Sequence, residues 1–122
     1  ADAPFLRGFI LRDPVGYQAV STNEFFENYK TVSEKHATYN KYKKTDREKA
    51  REYKEEHSAE LKAYKKMNDT KKQISEIGKQ MDKIYSNKTM TSKEKQERLQ
   101  PLAKRISDMA FDANVWYGNT KE

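Results

Sequence analysis

Apolar and aromatic positions recur along most of this chain at helical spacing. Phe25, Tyr29, Val32, His36 and Tyr39 follow one another in steps of 4, 3, 4 and 3, which traces one stripe on a helix. Ser21-Thr22-Asn23-Glu24 stands just before them. In such a capping box the hydroxyl accepts from the fourth residue's amide and the Glu reaches back. The pattern predicts a helix over about 23–43. Lys41, Lys43 and Lys44 close it, where cations suit the negative end of the helix dipole. Thr45-Asp46-Arg47-Glu48 repeats the box and predicts a short helix over about 46–56, with Ala50 and Tyr53 as its buried candidates. Whether it continues the first helix is left open.

Ser58 then caps a longer stripe of Leu61, Tyr64, Met67, Ile74, Ile77, Met81 and Ile84, interrupted at Lys71 and by the polar run Asn68-Asp69-Thr70. A helix over about 58–86 is expected, about 40 Å long at 1.5 Å per residue. The polar connector Ser86–Met90 leads to a third capping box, Thr91-Ser92-Lys93-Glu94, and to Leu99, Leu102, Ile106, Met109, Ala113 and Trp116. This predicts a last helix over about 92–116. Pro101 is expected to kink or restart it, because proline removes a backbone donor. Gly118-Asn119 is expected to stop it. The short connector makes the last two helices antiparallel neighbours. The expected fold is all-α: a long antiparallel hairpin (about 58–86 and 92–116), an N-terminal helix, a short helix and an extended arm.

That arm, residues 1–20, breaks the helical pattern. Pro4 and Pro14 bracket Phe5, Leu6, Phe9, Ile10 and Leu11, and Asp13-Pro14 and Val15-Gly16 carry turn chemistry. It reads as an apolar arm that docks on the helices or on a partner, beside one helical domain over 21–122.

Composition narrows this picture. The 122 residues make one domain. They are 34% hydrophobic and 36% charged, against about 45–50% and about 25% in average globular chains, so the core must be thin. With no Cys, disulfides, thiolate metal sites and thiol catalysis are excluded. No apolar run exceeds three residues, as in Phe9-Ile10-Leu11, far short of the about 20 residues of a membrane span. The chain begins at Ala1, which reads as a removed Met or as a mature or excised piece of something longer.

Candidate chemistry is sparse. His36 and His57 are the only histidines; they read as packed or solvent-facing residues, not as two of the roughly three protein donors that zinc requires. Glu52, Glu55, Glu56 and Glu60 alternate with lysines and read as solubilising helix pairs. Gly8, Gly16, Gly78 and Gly118 are too scattered to cradle a phosphate. No cofactor, metal or catalytic residue is expected.

The net charge is +6. Residues 41–72 hold 12 Lys+Arg against 7 Asp+Glu, with Tyr42, Tyr53 and Tyr64 interleaved and Tyr39 just before them. Cations with aromatics can hold single-stranded nucleic acid by its phosphates and bases, with Lys41, Lys43, Lys44, Lys65 and Lys66 as the phosphate contacts. The competing reading is a solvated face, since acids are mixed among the lysines. A continuous basic stripe free of acids separates the two. Eight tyrosines fit either a self-contained bundle or one completed by another chain, a homo-oligomer included. Phe5, Leu6, Phe9, Ile10, Tyr39 and Tyr42 are the candidate interaction residues.

The order of features also resembles a known family. The apolar entry Pro4-Phe5-Leu6-Arg7-Gly8-Phe9-Ile10 is followed by the aromatic helix Glu24-Phe25-Phe26-Glu27-Asn28-Tyr29, the short Asp46–Glu56 helix, and a helical hairpin restarting at Thr91-Ser92-Lys93-Glu94-Lys95. Over nearly the whole chain this is similar to a helical domain near the C-terminus of large bacteriophage polyvalent, tape-measure-like or internal virion proteins, which travel with DNA during ejection. The resemblance implies a non-enzymatic terminal domain in a virion or bacterial cytoplasm. It would serve assembly or DNA ejection and contact other protein chains or the rest of its parent. A small basic helical nucleic-acid-binding protein is the alternative, with binding weak at most.

Overall fold

Three long helices of 28 or 29 residues run through the computed structural model, which describes residues 17–121. They are α1 (Tyr17–Thr45), α3 (Ser58–Tyr85) and α4 (Ser92–Thr120), with the ten-residue α2 (Arg47–Glu56) between the first two. The described residues contain no strand. The chain is all-α, as the periodicity predicts. The arm's Phe5, Leu6, Phe9 and Ile10 lie outside the described residues.

α1, α3 and α4 each pack against the other two, which makes a three-helix bundle, while α2 rests mainly on α1. Tyr85 meets Lys95, whose Nζ donates to the Tyr85 carbonyl at 2.8 Å, and Lys66 meets Trp116. That order of contacts belongs to two helices running in opposite directions. One stripe from each helix builds the core: Phe25 and Val32 from α1; Ala63, Met67, Ile74, Ile77 and Met81 from α3; Leu99, Ala103, Ile106, Ala110, Ala113 and Tyr117 from α4. Burying a Val, Leu, Ile, Phe or Met side chain contributes about 1.5–3 kcal/mol. Since the isolated helices are short of apolar residues, this shared seam holds them together.

The helix boundaries depart from the sequence reading in instructive ways. α1 begins at Tyr17, so 17–20 belong to a helix and not to the arm, and Ser21-Thr22-Asn23-Glu24 lies inside the helix. Ser21 and Thr22 are buried against the bundle; packing of this face overrides the local capping preference. The second box is used one residue later than expected. Asp46, extended at φ −157°, is the N-cap, and its Oδ1 accepts from the Lys49 amide at 3.2 Å. This single residue makes α1 and α2 separate helices. His57, not Ser58, is the N-cap of α3, and it makes no side-chain cap bond. The third box forms as predicted: Thr91 Oγ1 accepts from the Glu94 amide at 3.1 Å, and Glu94 Oε1 accepts from the Thr91 amide at 3.3 Å.

The connector before it is ordered by Asn87, whose Oδ1 accepts from the amides of Thr89 and Met90 at 2.8 and 3.0 Å. α4 then runs through Pro101 without a restart. Pro101 is exposed, and its neighbours Leu99 and Ala103 are anchored in the core. The helix also passes through Gly118-Asn119 and ends at Thr120. Tyr117 is buried and pins this last turn, aided by the Thr120 hydroxyl donating to the Tyr117 carbonyl at 2.7 Å.

Candidate interaction surface

The end of the bundle where α1 passes through α2 into α3 brings Tyr39, Tyr42, Tyr53 and His57 together with lysines and arginines. Two single-residue breaks build it. At Asp46 the amide donates to the Tyr42 carbonyl at 2.7 Å, ending α1 as the side chain starts α2. At His57 the amide donates to the Tyr53 carbonyl at 2.9 Å, and the His57 carbonyl accepts from Leu61 at 3.1 Å. α2 is thereby set as a corner piece. Ala50 is its one buried residue.

Aromatic contacts hold the corner. Tyr42 meets Tyr53 edge to face at 5.5 Å, and Tyr53 meets His57 at 4.4 Å. The His36 ring stacks on Tyr64 at 3.8 Å, and its Nε2 lies 3.1 Å from Asn40 Nδ2. Lys43 Nζ lies 5.2 Å from the Tyr39 ring centre and Lys49 Nζ 5.5 Å from that of Tyr42. Cation–π contacts at exposed sites contribute about 0.5–1 kcal/mol each.

Between α1 and α2 these residues enclose an open groove of ≈ 410 Å³, lined by Tyr39, Lys43, Arg47, Ala50, Arg51 and Lys54. Four of the six are cations and none is acidic. α2 turns about 100° per residue, which puts Arg47, Arg51 and Lys54 within an arc of roughly 60°. Glu48, Glu52, Glu55 and Glu56 fall beyond that arc. Among the described residues the salt bridges are Lys79–Glu76 at 3.2 Å and Lys104–Asp108 at 2.7 Å. The groove's cations take no carboxylate partner there.

Of the residues singled out from sequence, Tyr39 and Lys43 line the groove. Tyr42 lies outside the lining, in contact with Tyr53 and Lys49. Lys41, Lys44 and Lys65 are exposed and lie outside its lining. Lys66 is engaged elsewhere, its Nζ 5.3 Å from the Trp116 ring centre. Arg47, Arg51 and Lys54 were not among the sequence candidates. The signal that finds them is their i, i+4, i+7 spacing around Ala50.

A second groove of ≈ 300 Å³ lies between α1 and α3, lined by Phe26, Tyr29, Lys30, Ser33, Glu34 and Lys71. Its charge is mixed, and Lys71 Nζ sits 5.8 Å from the Tyr29 ring centre, so the polar break in the α3 stripe covers an aromatic face. Among the described residues no three of His, Cys, Asp and Glu come together to hold a metal ion, and no helix is long and apolar enough to cross a membrane. Comparison with family models, with curated proteins and with solved structures yields no match for this chain.

Proposed function

We propose that this chain is a non-enzymatic helical interaction domain whose working surface is the α1–α2 corner. The observation that carries the reading is the position of α2. The three long helices close the core among themselves, and α2 adds only Ala50 to the buried set. Yet α2 is capped by Asp46 and braced by Tyr42, Tyr53 and His57. A short helix fixed so firmly outside the core serves to present the groove it forms with α1. Within this proposal the parent is a phage or prophage virion-associated protein acting in assembly or DNA ejection, as the sequence resemblance implies.

Site-specific photo-cross-linking in the source cells tests the surface. A photoreactive residue placed at Arg51 or Lys54 is expected to give discrete adducts, and one at the exposed Lys79 of α3 few or none. Equal yields from both helices, or none from α2, would refute the assignment.

A further inference from the structure

We infer that the Tyr39–Lys43–Arg47–Arg51–Lys54 groove is a binding site for single-stranded nucleic acid, held by its phosphates. The inference uses the same corner as the interaction surface above and names its ligand. Three observations converge. The lining carries four cations and no acid. Arg47 and Arg51 stand one helical turn apart, about 6 Å along the axis, and each guanidinium can grip a phosphate with two N–H groups. Neither has a carboxylate within salt-bridge distance among the described residues, although four glutamates share the helix.

The remaining lining favours a nucleotide over an acidic peptide. Tyr39 offers a half-buried aromatic ring and Ala50 a methyl floor. A base gains by lying against such surfaces, whereas a carboxylate side chain gains nothing from them. The groove of ≈ 410 Å³ is open, so a strand can continue past it in both directions. The acid-free stripe is also the feature that separates a nucleic-acid face from a merely solvated one.

The size of the effect follows from counting contacts. On single strands log K falls by about 0.7 per phosphate neutralised per log unit of salt, so four contacts give a slope of about −2.8. Raising salt from 50 to 150 mM then weakens binding about twentyfold. Binding is therefore clear at low salt and slight at physiological salt, in keeping with a weak partner.

The experiment is fluorescence anisotropy of the full chain with a labelled oligothymidine 12-mer, a duplex of equal length and a poly-glutamate peptide, from 20 to 200 mM salt. The wild type is expected to bind the single strand with a slope between about −2 and −3. Arg47→Glu with Arg51→Glu is expected to lower affinity tenfold or more. Lys62→Glu with Lys65→Glu makes the same change in net charge outside the groove and is expected to lower it less than threefold. Circular dichroism checks folding, and Arg47→Ala with Arg51→Ala replaces the reversal pair if that pair fails to fold. Equal losses from both pairs would overturn the site, because net charge alone would then explain binding. Absence of single-strand binding at 20 mM salt, tighter binding of the duplex, or binding of poly-glutamate alone would overturn the ligand. In each of those cases cross-links from α2 still report separately on the interaction surface.

Discussion

Asn114 of α4 accepts a hydrogen bond at 3.1 Å from the side-chain amide of Asn28 on α1, and its own Nδ2 donates to the Ser21 carbonyl at 2.9 Å. One side chain thus ties two turns of α1 to α4. Among aliphatic seams that could slide, this polar clasp fixes the register. Asn114→Ala removes both bonds and leaves the part-buried Asn28 amide without its partner. A net loss of about 1–2 kcal/mol is expected, since an intramolecular hydrogen bond contributes about 0.5–1.5 kcal/mol. Asn28→Ala is expected to cost less, because Asn114 keeps the Ser21 carbonyl. Urea denaturation of both single variants and the double variant checks this; additive losses would show that the two side chains are uncoupled.

Among the described residues, two core hydroxyls find no hydrogen-bond partner: Ser107 Oγ and Tyr117 OH, both buried. Desolvating an unsatisfied polar group costs about 1–3 kcal/mol. Ser107→Ala removes the group and installs a better helix former, so a gain of about 1 kcal/mol is expected. Tyr117→Phe keeps the ring beneath Lys121, whose Nζ lies 4.3 Å from its centre, and is expected to be neutral or stabilising. A fall in melting temperature for either variant would contradict the packing described.

Gly118 lies within the last turn of α4, and a methyl group built on it meets nothing within 4 Å. Glycine inside a helix costs roughly 0.5–1 kcal/mol relative to alanine, because the unfolded chain has more freedom to lose. Gly118→Ala is therefore expected to stabilise, toward the lower end of that range so near the helix end. Thermal melts followed at 222 nm suffice; an unchanged or lower midpoint would mean that this turn is already frayed in the native state.

The fold was largely legible because three stripes persist over many turns, and such periodicity survives errors at the ends. What misled was size. On α4 the spacing favours Leu102, Met109 and Trp116, which are half-buried, while the small Ala103 and Ala110 face the centre. α4 packs on two helices at once, so its buried arc is wide. Small residues fit where the backbones approach, and alanine carries little hydrophobic signal to announce it. The start of α1 was hidden by the turn chemistry of Pro14 and Gly16. The groove was hidden by counting charge along the chain: over 41–72 acids and bases mix, and only rotation at about 100° per residue separates Arg47, Arg51 and Lys54 from the glutamates. Asp46 and His57, which set α2 at its angle, carry no signal of that angle in sequence.

Two stretches with the same capping-box pattern provide the sharpest check on that distinction. Thr91 uses its hydroxyl to hold the Glu94 amide at the open start of α4, where no carbonyl precedes to take it. Thr91→Ala leaves that donor to water and frees Glu94 from its reciprocal bond, so a loss of about 1 kcal/mol is expected, within the 0.5–2 kcal/mol typical of such caps. Ser21 stands in the fifth position of α1, where the helix supplies carbonyl partners for the amides that follow. Its bond to Asn114 uses the main-chain oxygen, which Ser21→Ala retains. That substitution also favours the helix by propensity, so it is expected to be neutral or slightly stabilising. Matched urea titrations of the two variants decide the matter. A cost at Ser21 equal to that at Thr91 would mean that α1 starts at the box after all, and that Tyr17–Val20 belong to the arm.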